Sequence, residues 1–200
     1  MEEREEEKAT CPGVERWSVK TGTDADASKV DLVHPRKTTI DELLALDWPD
    51  PGVSIHAVLP EKRFAPTETA VLVLRDATLV CAKSETDQDF HLVVRQGSST
   101  DNVEIPDPDC VGDGSPFAAS IAQARADFAA RKASRSLPKI PICKQTLDLA
   151  SSDSGPISVV GVGFFDKVHG AIGGSDKQGI EIHPVLGVCF THGCVPKVVR

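Results

Sequence analysis

Residues 69–108 read TAVLVLRDATLVCAKSETDQDFHLVVRQGSSTDNVEIPDP, and this stretch decides the fold. Apolar runs rich in Val and Leu alternate in it with polar stretches of Ser, Thr, Asp and Gly, residue types that favour turns. The pattern predicts three strands that follow one another as a meander, with acidic residues concentrated at the turns. The first strand is long, and Arg75-Asp76 within it predicts a bend or a bulge.

One helix and two strands are predicted after the meander. Ser115 and Pro116 have the side chains preferred at a helix N-cap and at the first helical position. The apolar residues that follow are spaced by four, three and four, as on one helix face: Phe117, Ile121, Ala124 and Phe128. Strands are predicted over 157–165 and 179–190, with Pro184 at a bulge or a sheet edge. The order predicts a mainly β protein with one principal helix, built on a five-stranded Greek-key barrel of the OB type.

The residues outside the barrel are predicted to form extensions rather than a second domain. Prolines and apolar residues recur together through residues 47–68, which indicates an irregular segment that wraps the barrel. Before it, Thr39 and Glu42 form a capping box at the start of a short helix, and a short strand is predicted over 14–20. The predicted divisions are a disordered charged tail (1–10), a wrapping extension (11–68), the barrel (69–192) and a C-terminal tail (193–200).

The charge and the hydropathy of the chain limit the function classes. A formal net charge of −8 argues against passive binding of nucleic acid through a broad basic face. Carboxylates that gather a divalent cation still permit action on a phosphodiester. No apolar stretch approaches the roughly 20 residues of a membrane span, so no membrane partner is expected.

The six cysteines include no Cys-x-x-Cys pair, which argues against a zinc ribbon. Cys81 and Cys189 lie in apolar, strand-like runs, where buried free thiols are the favoured interpretation. The pairs that stay open as disulfides in an oxidising compartment are Cys11 with Cys110 and Cys143 with Cys194.

A first group of acidic residues and a histidine lies at the turn between the first two strands. Glu85, Asp87, Asp89 and His91 occupy alternate positions, and alternate residues of a strand project from one face. Carboxylates that project together can bind a hard cation or hold an imidazole. Acids in a solvated turn are the simpler alternative.

Two further groups of this kind follow in the chain. Glu104 lies between apolar residues near the end of the third strand, and Asp107 follows it where two prolines fix the backbone. Glu181 and His183 share a face of the last strand, and His169 precedes them in a glycine-rich turn. A carboxylate and an imidazole at this spacing can ligate a transition metal or act as a base with its orienting partner. The alternatives are a solvent-facing Glu104 and a hydrogen-bonded structural histidine.

Five segments of the chain resemble a family of uncharacterised bacterial OB-like proteins, many of them exported. The segments are residues 15–24, 89–93, 104–108, 161–166 and 180–186. The resemblance extends over most of residues 11–190 and implies a shared fold without a known activity. It also implies a secreted or periplasmic location, although no leader is read in this chain.

Residues 71–190 are also similar in order to the staphylococcal nuclease family, OB-type barrels that hydrolyse phosphodiesters with calcium. Asp87-Gln88-Asp89-Phe90 stands where that family has an Asp-Gly-Asp-Thr turn, and Glu104-Ile105-Pro106-Asp107 is a looser counterpart of its Asp-Thr-Pro-Glu strand end. The resemblance implies that Arg95 fills the role of the first of two phosphate-binding arginines. No arginine lies in the region of the second, so one cation at the transition-state phosphate is unaccounted for.

These observations predict a divalent-metal-dependent phosphodiester hydrolase of the nuclease type, with nucleic acid as substrate. The expected cation is Ca²⁺ or Mg²⁺, with Mn²⁺ and Zn²⁺ as alternatives, and its expected ligands are Asp87, Asp89, Glu104 and Asp107. The expected catalytic residues are Arg95 at the phosphate, His183 with its partner Glu181 as base or acid, and His91 and His169 as secondary candidates. The competing hypotheses are a non-catalytic OB-type module that binds an oligosaccharide, a peptide or a protein, and a domain in which a metal only joins loops.

Overall fold

The computed structural model describes residues 11, 15–168 and 179–199. The predicted tail at 1–10 and the candidate His169 lie outside the described residues. The helices are α1 (Trp17–Thr21), α2 (Ile40–Leu44) and α3 (Ala118–Ala133). The strands are β1 (Asp31–Thr38), β2 (Ala70–Ser84), β3 (Phe90–Gln96), β4 (Ser99–Ile105), β5 (Pro156–Phe165) and β6 (Ile180–Cys189). None of these helices is long and apolar enough to cross a membrane.

Five of the strands close into a barrel in the order β2-β3-β4-β6-β5, which the pairing of β5 with β2 completes. The strands β4 and β6 run parallel, with Val103 opposite Ile182, and the other barrel pairs are antiparallel. The predicted meander is β2, β3 and β4, and α3 follows it in the chain. The mainly β fold with a five-stranded barrel and one principal helix is therefore confirmed, and its strand order is consistent with the OB type.

The predicted bulge in β2 lets one strand serve two parts of the barrel. The first half of β2 pairs with β1 and β5, and its second half pairs with β3. The register against β5 shifts between Leu74 and Ala77, where Asp76 has a φ of 51°. The register between β5 and β6 shifts near Pro184, and a Cβ on Gly161 would lie 2.5 Å from the Pro184 carbonyl oxygen. Both irregularities bend the sheet and so help it to close.

The apolar face of α3 packs against the barrel, mostly against β6. Its predicted members are all fully buried: Phe117, Ile121, Ala124 and Phe128. The last two pack into the barrel core, and the first two pack with a second apolar cluster on β2 and β5. The helix begins at Ala118 rather than Pro116, and the predicted cap has another role. The Ser115 hydroxyl accepts from the Phe117 N–H and donates to the Thr21 carbonyl, which ties the helix entrance to α1.

The predictions for the N-terminal extension are partly wrong. The strand expected over 14–20 is instead the helix α1, which ends at Gly22 in the left-handed conformation with a φ of 74°. The strand β1 was not predicted, because its residues are mostly exposed and show no apolar alternation. It forms by parallel pairing with β2. The capping box is confirmed, since Thr39 accepts from the Glu42 N–H and the Glu42 carboxylate accepts from the Thr39 N–H.

All six cysteines form disulfides: Cys11–Cys110, Cys81–Cys143 and Cys189–Cys194. The first is one of the pairs that the sequence left open. The free-thiol interpretation of Cys81 and Cys189 is wrong, because each has a partner outside the barrel strands with Cα atoms 5.1 Å and 6.3 Å away, respectively, which is within disulfide range. Each disulfide therefore joins a segment outside the barrel to a barrel strand or to the turn that follows one.

Candidate metal centre

The candidate site lies at one end of the barrel, where β3 begins, β4 ends and β6 begins. Because β4 and β6 are parallel neighbours, Glu104 near the end of β4 lies beside the first half of β6. His91 of β3 lies opposite Glu104 in the antiparallel register. Alternation along the strands directs Val103 and Ile182 into the core and turns Glu104 and His183 to the other face. Members of all three acid and histidine groups therefore meet on the outer face of the barrel: Asp89 and His91, Glu104, and Glu181 with His183.

The His183 imidazole is the centre of the cluster and is surrounded by carboxylates. Its Nδ1 lies 3.1 Å from Glu181 Oε1 and 3.2 Å from Glu104 Oε2. Its Nε2 lies 3.2 Å from Asp89 Oδ2. His183 and Asp89 are fully buried, and Glu181 and Glu104 are 4% and 9% exposed. Water is therefore largely excluded, which strengthens the attraction between the carboxylates and any positive charge among them.

Glu104 connects His183 to a second histidine. Its Oε1 lies 2.7 Å from His91 Nδ1, while its Oε2 faces His183. Glu85 lies 3.7 Å from His91 Nδ1 and pairs with Lys83 at 2.6 Å. The alternative of a solvent-facing Glu104 is therefore wrong, because this carboxylate is buried and bridges two imidazoles.

Two buried atoms at the centre of the cluster have no hydrogen-bond partner in the described part of the chain. They are Asp89 Oδ2 and His183 Nε2, which lie close together but are not aligned for a hydrogen bond. The other oxygen of Asp89 is held, because Oδ1 accepts from the Asp107 N–H at 3.1 Å. A buried polar atom without a partner costs about 1–3 kcal/mol, so such atoms call for a specific explanation, for which a bound ion is one candidate.

The arrangement fits a divalent metal ion. Asp89, Glu104 and His183 each offer one donor atom, and these atoms lie within 4.8 Å of one another. Glu85, His91 and Glu104 form a second group of this kind. The first group is the stronger candidate because two of its residues, Asp89 and His183, carry the atoms without hydrogen bonds, whereas Glu85 of the second is already paired with a lysine.

The charges of the cluster favour a protonated His183. Burial opposes that charge, but attraction from Asp89, Glu104 and Glu181 raises the pKa of His183 well above its ordinary value. Burial also opposes ionisation of Glu104, yet His183 and His91 hold the pKa of that carboxyl well below its ordinary value. Burial and the neighbouring Glu104 raise the pKa of Glu181 to about 7. A divalent cation can take the place of the imidazolium proton as the positive charge that these carboxylates surround.

The structure adds a cation that the sequence prediction lacks. Lys20 of α1 is 5% exposed, and its ammonium lies 5.4 Å from the centre of the Phe164 ring. The His183 ring contacts the same phenyl ring, with 5.5 Å between centroids. Burial opposes the charge of Lys20, but the surrounding carboxylates, Glu104 foremost, raise its pKa above the ordinary value. No sequence signal marks Lys20, because it reaches the site from the N-terminal extension.

Two predicted ligands lie beside the cluster and support it. Asp87 accepts from the Asp89 N–H at 3.3 Å, and its pKa is raised by burial and by the charge of Asp89. Asp107 caps the turn after β4, and its side chain pairs with Arg125 at 3.3 Å. Their carboxylates are therefore used to shape the backbone around Asp89, and neither belongs to the group of three donors.

Arg95 is not brought together with the cluster. It lies near the far end of β3, opposite Thr100, and donates to the Ser152 carbonyl at 3.2 Å. The similarity in strand order to the nuclease family therefore does not place Arg95 where it could bind a phosphate at the cluster. Comparison with models of protein families, with curated proteins and with solved structures finds no match to this chain.

Proposed function

We propose that the protein is a divalent-metal-dependent hydrolase of phosphodiesters, with nucleic acid as the substrate class. Asp89, Glu104 and His183 are the proposed ligands of the ion. The observation that carries the proposal is the pair of buried atoms without hydrogen bonds among the described residues, Asp89 Oδ2 and His183 Nε2, beside the Glu104 carboxylate. A cation held by these residues satisfies both atoms and balances the buried negative charge.

The donor set favours a transition ion over the calcium or magnesium expected from the sequence. Ca²⁺ and Mg²⁺ take oxygen ligands, whereas an imidazole suits Zn²⁺ and a carboxylate-rich site suits Mn²⁺. Glu181 supports an imidazole ligand, because its contact with Nδ1 at 3.1 Å holds the His183 ring in one orientation. We therefore propose Mn²⁺ or Zn²⁺.

Three protein ligands leave coordination positions open, which is typical of a catalytic rather than a structural metal. When bound, such an ion supplies a water of lowered pKa and polarises a phosphoryl oxygen. The residues around the ligands orient them: Glu181 holds the His183 ring, and His91 holds Glu104 through Oε1. In this proposal His183 is a metal ligand rather than the general base expected from the sequence, and Glu181 and His91 are positioning residues.

The substrate class is supported by the fold and by the position of the site. OB-type barrels commonly bind oligonucleotides on the face of their second and third strands, which here are β3 and β4. The cluster lies at one end of these strands. The net charge of −8 favours contact concentrated at the ion over contact with a broad basic face. The three disulfides favour action in an oxidising compartment.

A metal that only stabilises the fold is the second candidate. Asp89 and His183 are fully buried, and a structural ion needs no access for a substrate. Such an ion joins the starts of β3 and β6 to the end of β4. Measurement of both stability and cleavage separates the two candidates.

The first experiment measures metal content and thermal unfolding with Mn²⁺, Zn²⁺, Ca²⁺ or Mg²⁺ and with a chelator. An ion at 100 times its Kd contributes about 2.7 kcal/mol, which raises Tm by about 5–11 °C for a protein of this size. We expect the rise with Mn²⁺ or Zn²⁺, and we expect Asp89→Asn and His183→Gln to abolish it. His34→Gln is the matched control, because His34 pairs with Asp31 at the surface.

Cleavage of single-stranded DNA and of bis(p-nitrophenyl) phosphate is then measured with the ion that binds. Hydrolysis that is lost in both site variants and kept in His34→Gln supports the proposal. Bound metal without cleavage assigns the structural role instead. Absence of metal uptake and of any Tm change in the wild-type protein contradicts both candidates.

A further inference from the structure

We infer that Lys20 is the group that binds the substrate phosphate at this site. The inference rests on the proposed function. It assigns to the N-terminal extension the cation at the transition-state phosphate, which Arg95 does not supply from its place in the fold and for which the second region has no arginine. An ammonium that touches a phosphate oxygen stabilises the negative charge that develops there during hydrolysis.

The position of Lys20 follows from its contact with Phe164. Its ammonium lies 5.4 Å from the centre of that ring, and the His183 ring contacts the same phenyl ring with 5.5 Å between centroids. One aromatic side chain therefore packs against both a proposed metal ligand and the buried cation. Lys20 also lies close enough to feel the charges of Glu104 and Asp89, two of the proposed metal ligands, so a phosphate bound to the ion would feel the positive charge of its ammonium.

Lys20 is available for an anion, whereas its neighbour Arg16 is not. Arg16 also lies over the Phe164 ring, but its guanidinium binds both carboxylate oxygens of Glu68 and three backbone carbonyls. Lys20 makes neither a hydrogen bond nor an ion pair through its side chain with any residue in the described ranges. Among the described residues its ammonium contacts the Phe164 ring, and the nearby carboxylates act on it through their charge.

A bound metal ion makes this cation more available. An ion held by Asp89 and Glu104 would offset the charge of two of the carboxylates that attract Lys20. The ammonium then lies in a largely dry site with less negative charge around it. An anionic phosphodiester supplies the missing partner, so binding of the metal and of the anion is expected to be coupled.

The backbone around Lys20 is fixed before any ligand arrives. Arg63 donates to the Val19 carbonyl and pairs with Asp24 on either side of Lys20. The Trp17 indole donates to the Cys110 carbonyl, and Cys110 is joined to the N-terminal segment by a disulfide. Because this segment becomes ordered during folding, the loss of its conformational entropy does not oppose anion binding.

The test uses the full chain loaded with Mn²⁺, freed of excess ion by gel filtration and titrated with inorganic phosphate in a calorimeter. Wild type is compared with Lys20→Met, Lys20→Arg and the control Lys29→Met, whose lysine lies in the same extension but is exposed and paired with Asp26. Circular dichroism and manganese content establish that each variant is folded and loaded. Lys20→Gln replaces the Met variant in the comparison if that variant fails to fold.

We expect phosphate affinity to fall about 10-fold to 100-fold in Lys20→Met, to recover in part in Lys20→Arg and to stay unchanged in Lys29→Met. Hydrolysis of bis(p-nitrophenyl) phosphate is expected to show a higher KM and a lower kcat in Lys20→Met, which extends the result from free phosphate to a diester. Wild-type phosphate affinity in a folded, loaded Lys20→Met or Lys20→Gln protein overturns the inference alone. A wild-type protein that takes up no manganese is loaded with Zn²⁺ instead, and one that takes up neither ion overturns the proposed function before phosphate is added.

Discussion

Substitution of Glu68 by Gln tests the buried ion pair that joins the N-terminal extension to β5. Glu68 is fully buried and accepts four hydrogen bonds: two from the Arg16 guanidinium at 2.7 Å, one from the Phe64 N–H at 2.7 Å and one from the Phe165 N–H at 2.9 Å. The neutral amide cannot balance the guanidinium, which is itself only 2% exposed. Breaking a buried ion pair on one side costs about 3–5 kcal/mol, because an unpaired charge is left inside. For a protein of this size the loss lowers Tm by about 6–20 °C.

The assay is urea and thermal unfolding of the oxidised protein, read by circular dichroism. A double variant, Arg16→Met with Glu68→Leu, removes both charges and is expected to lose less stability than Glu68→Gln. Asp26→Asn is the surface control, because it removes one partner of an exposed lysine pair and is expected to lower the free energy of unfolding far less than Glu68→Gln does. The reasoning is refuted if Glu68→Gln lowers the free energy of unfolding by less than about 1 kcal/mol, or if the double variant is less stable than the single one.

Two further substitutions test buried features of the barrel and of its extension. Burial raises the pKa of Asp101 well above the ordinary value of 3.8, so the folded state holds its proton and loses stability as pH rises from that value towards the raised one. Asp101→Asn is therefore expected to raise the free energy of unfolding by about 1–3 kcal/mol at pH 7 and to change it little at pH 3.5, and an equal effect at both pH values in urea titrations contradicts this. Gly22→Ala places a Cβ 2.3 Å from the Phe117 ring at a φ of 74°, whereas Gly97→Ala meets no atom within 4 Å at a φ of 58°. Calorimetry is expected to show a larger fall in Tm for Gly22→Ala, and equal falls would assign the effect to backbone conformation alone.

Much of the fold was predictable because its signals are local. The meander strands, the apolar face of α3 and the capping box at Thr39 depend on residues near one another in the chain, and each is present. The helix α1 and the strand β1 were not predictable in this way. The strand β1 has mostly exposed residues and forms through its pairing with β2, and α1 is fixed by contacts with distant residues such as Cys110. A single sequence carries no direct signal for such contacts.

The candidate site was predictable in its parts but not in its assembly. Asp89, Glu104 and His183 each stood out as a polar residue in or beside an apolar strand, and each alone had a simpler structural interpretation. Their meeting depends on the parallel contact between β4 and β6, which joins segments far apart in the chain. Lys20 carried no pattern at all, since a lysine in a polar segment predicts an exposed side chain.

The disulfides divide the chain at a different place from the fold, because strands of the one barrel lie on both sides of the covalent boundary. Cys11–Cys110 and Cys81–Cys143 overlap, so a single chain cut anywhere between Cys11 and Cys143 leaves the pieces covalently joined. The third disulfide closes only a short loop within the last part of the chain. A protease that cuts after the exposed Lys144 would therefore produce two fragments held together by non-covalent contacts alone. The smaller fragment would carry His183 and the larger one Asp89, Glu104 and Lys20, so separation of the two fragments would dismantle the proposed centre.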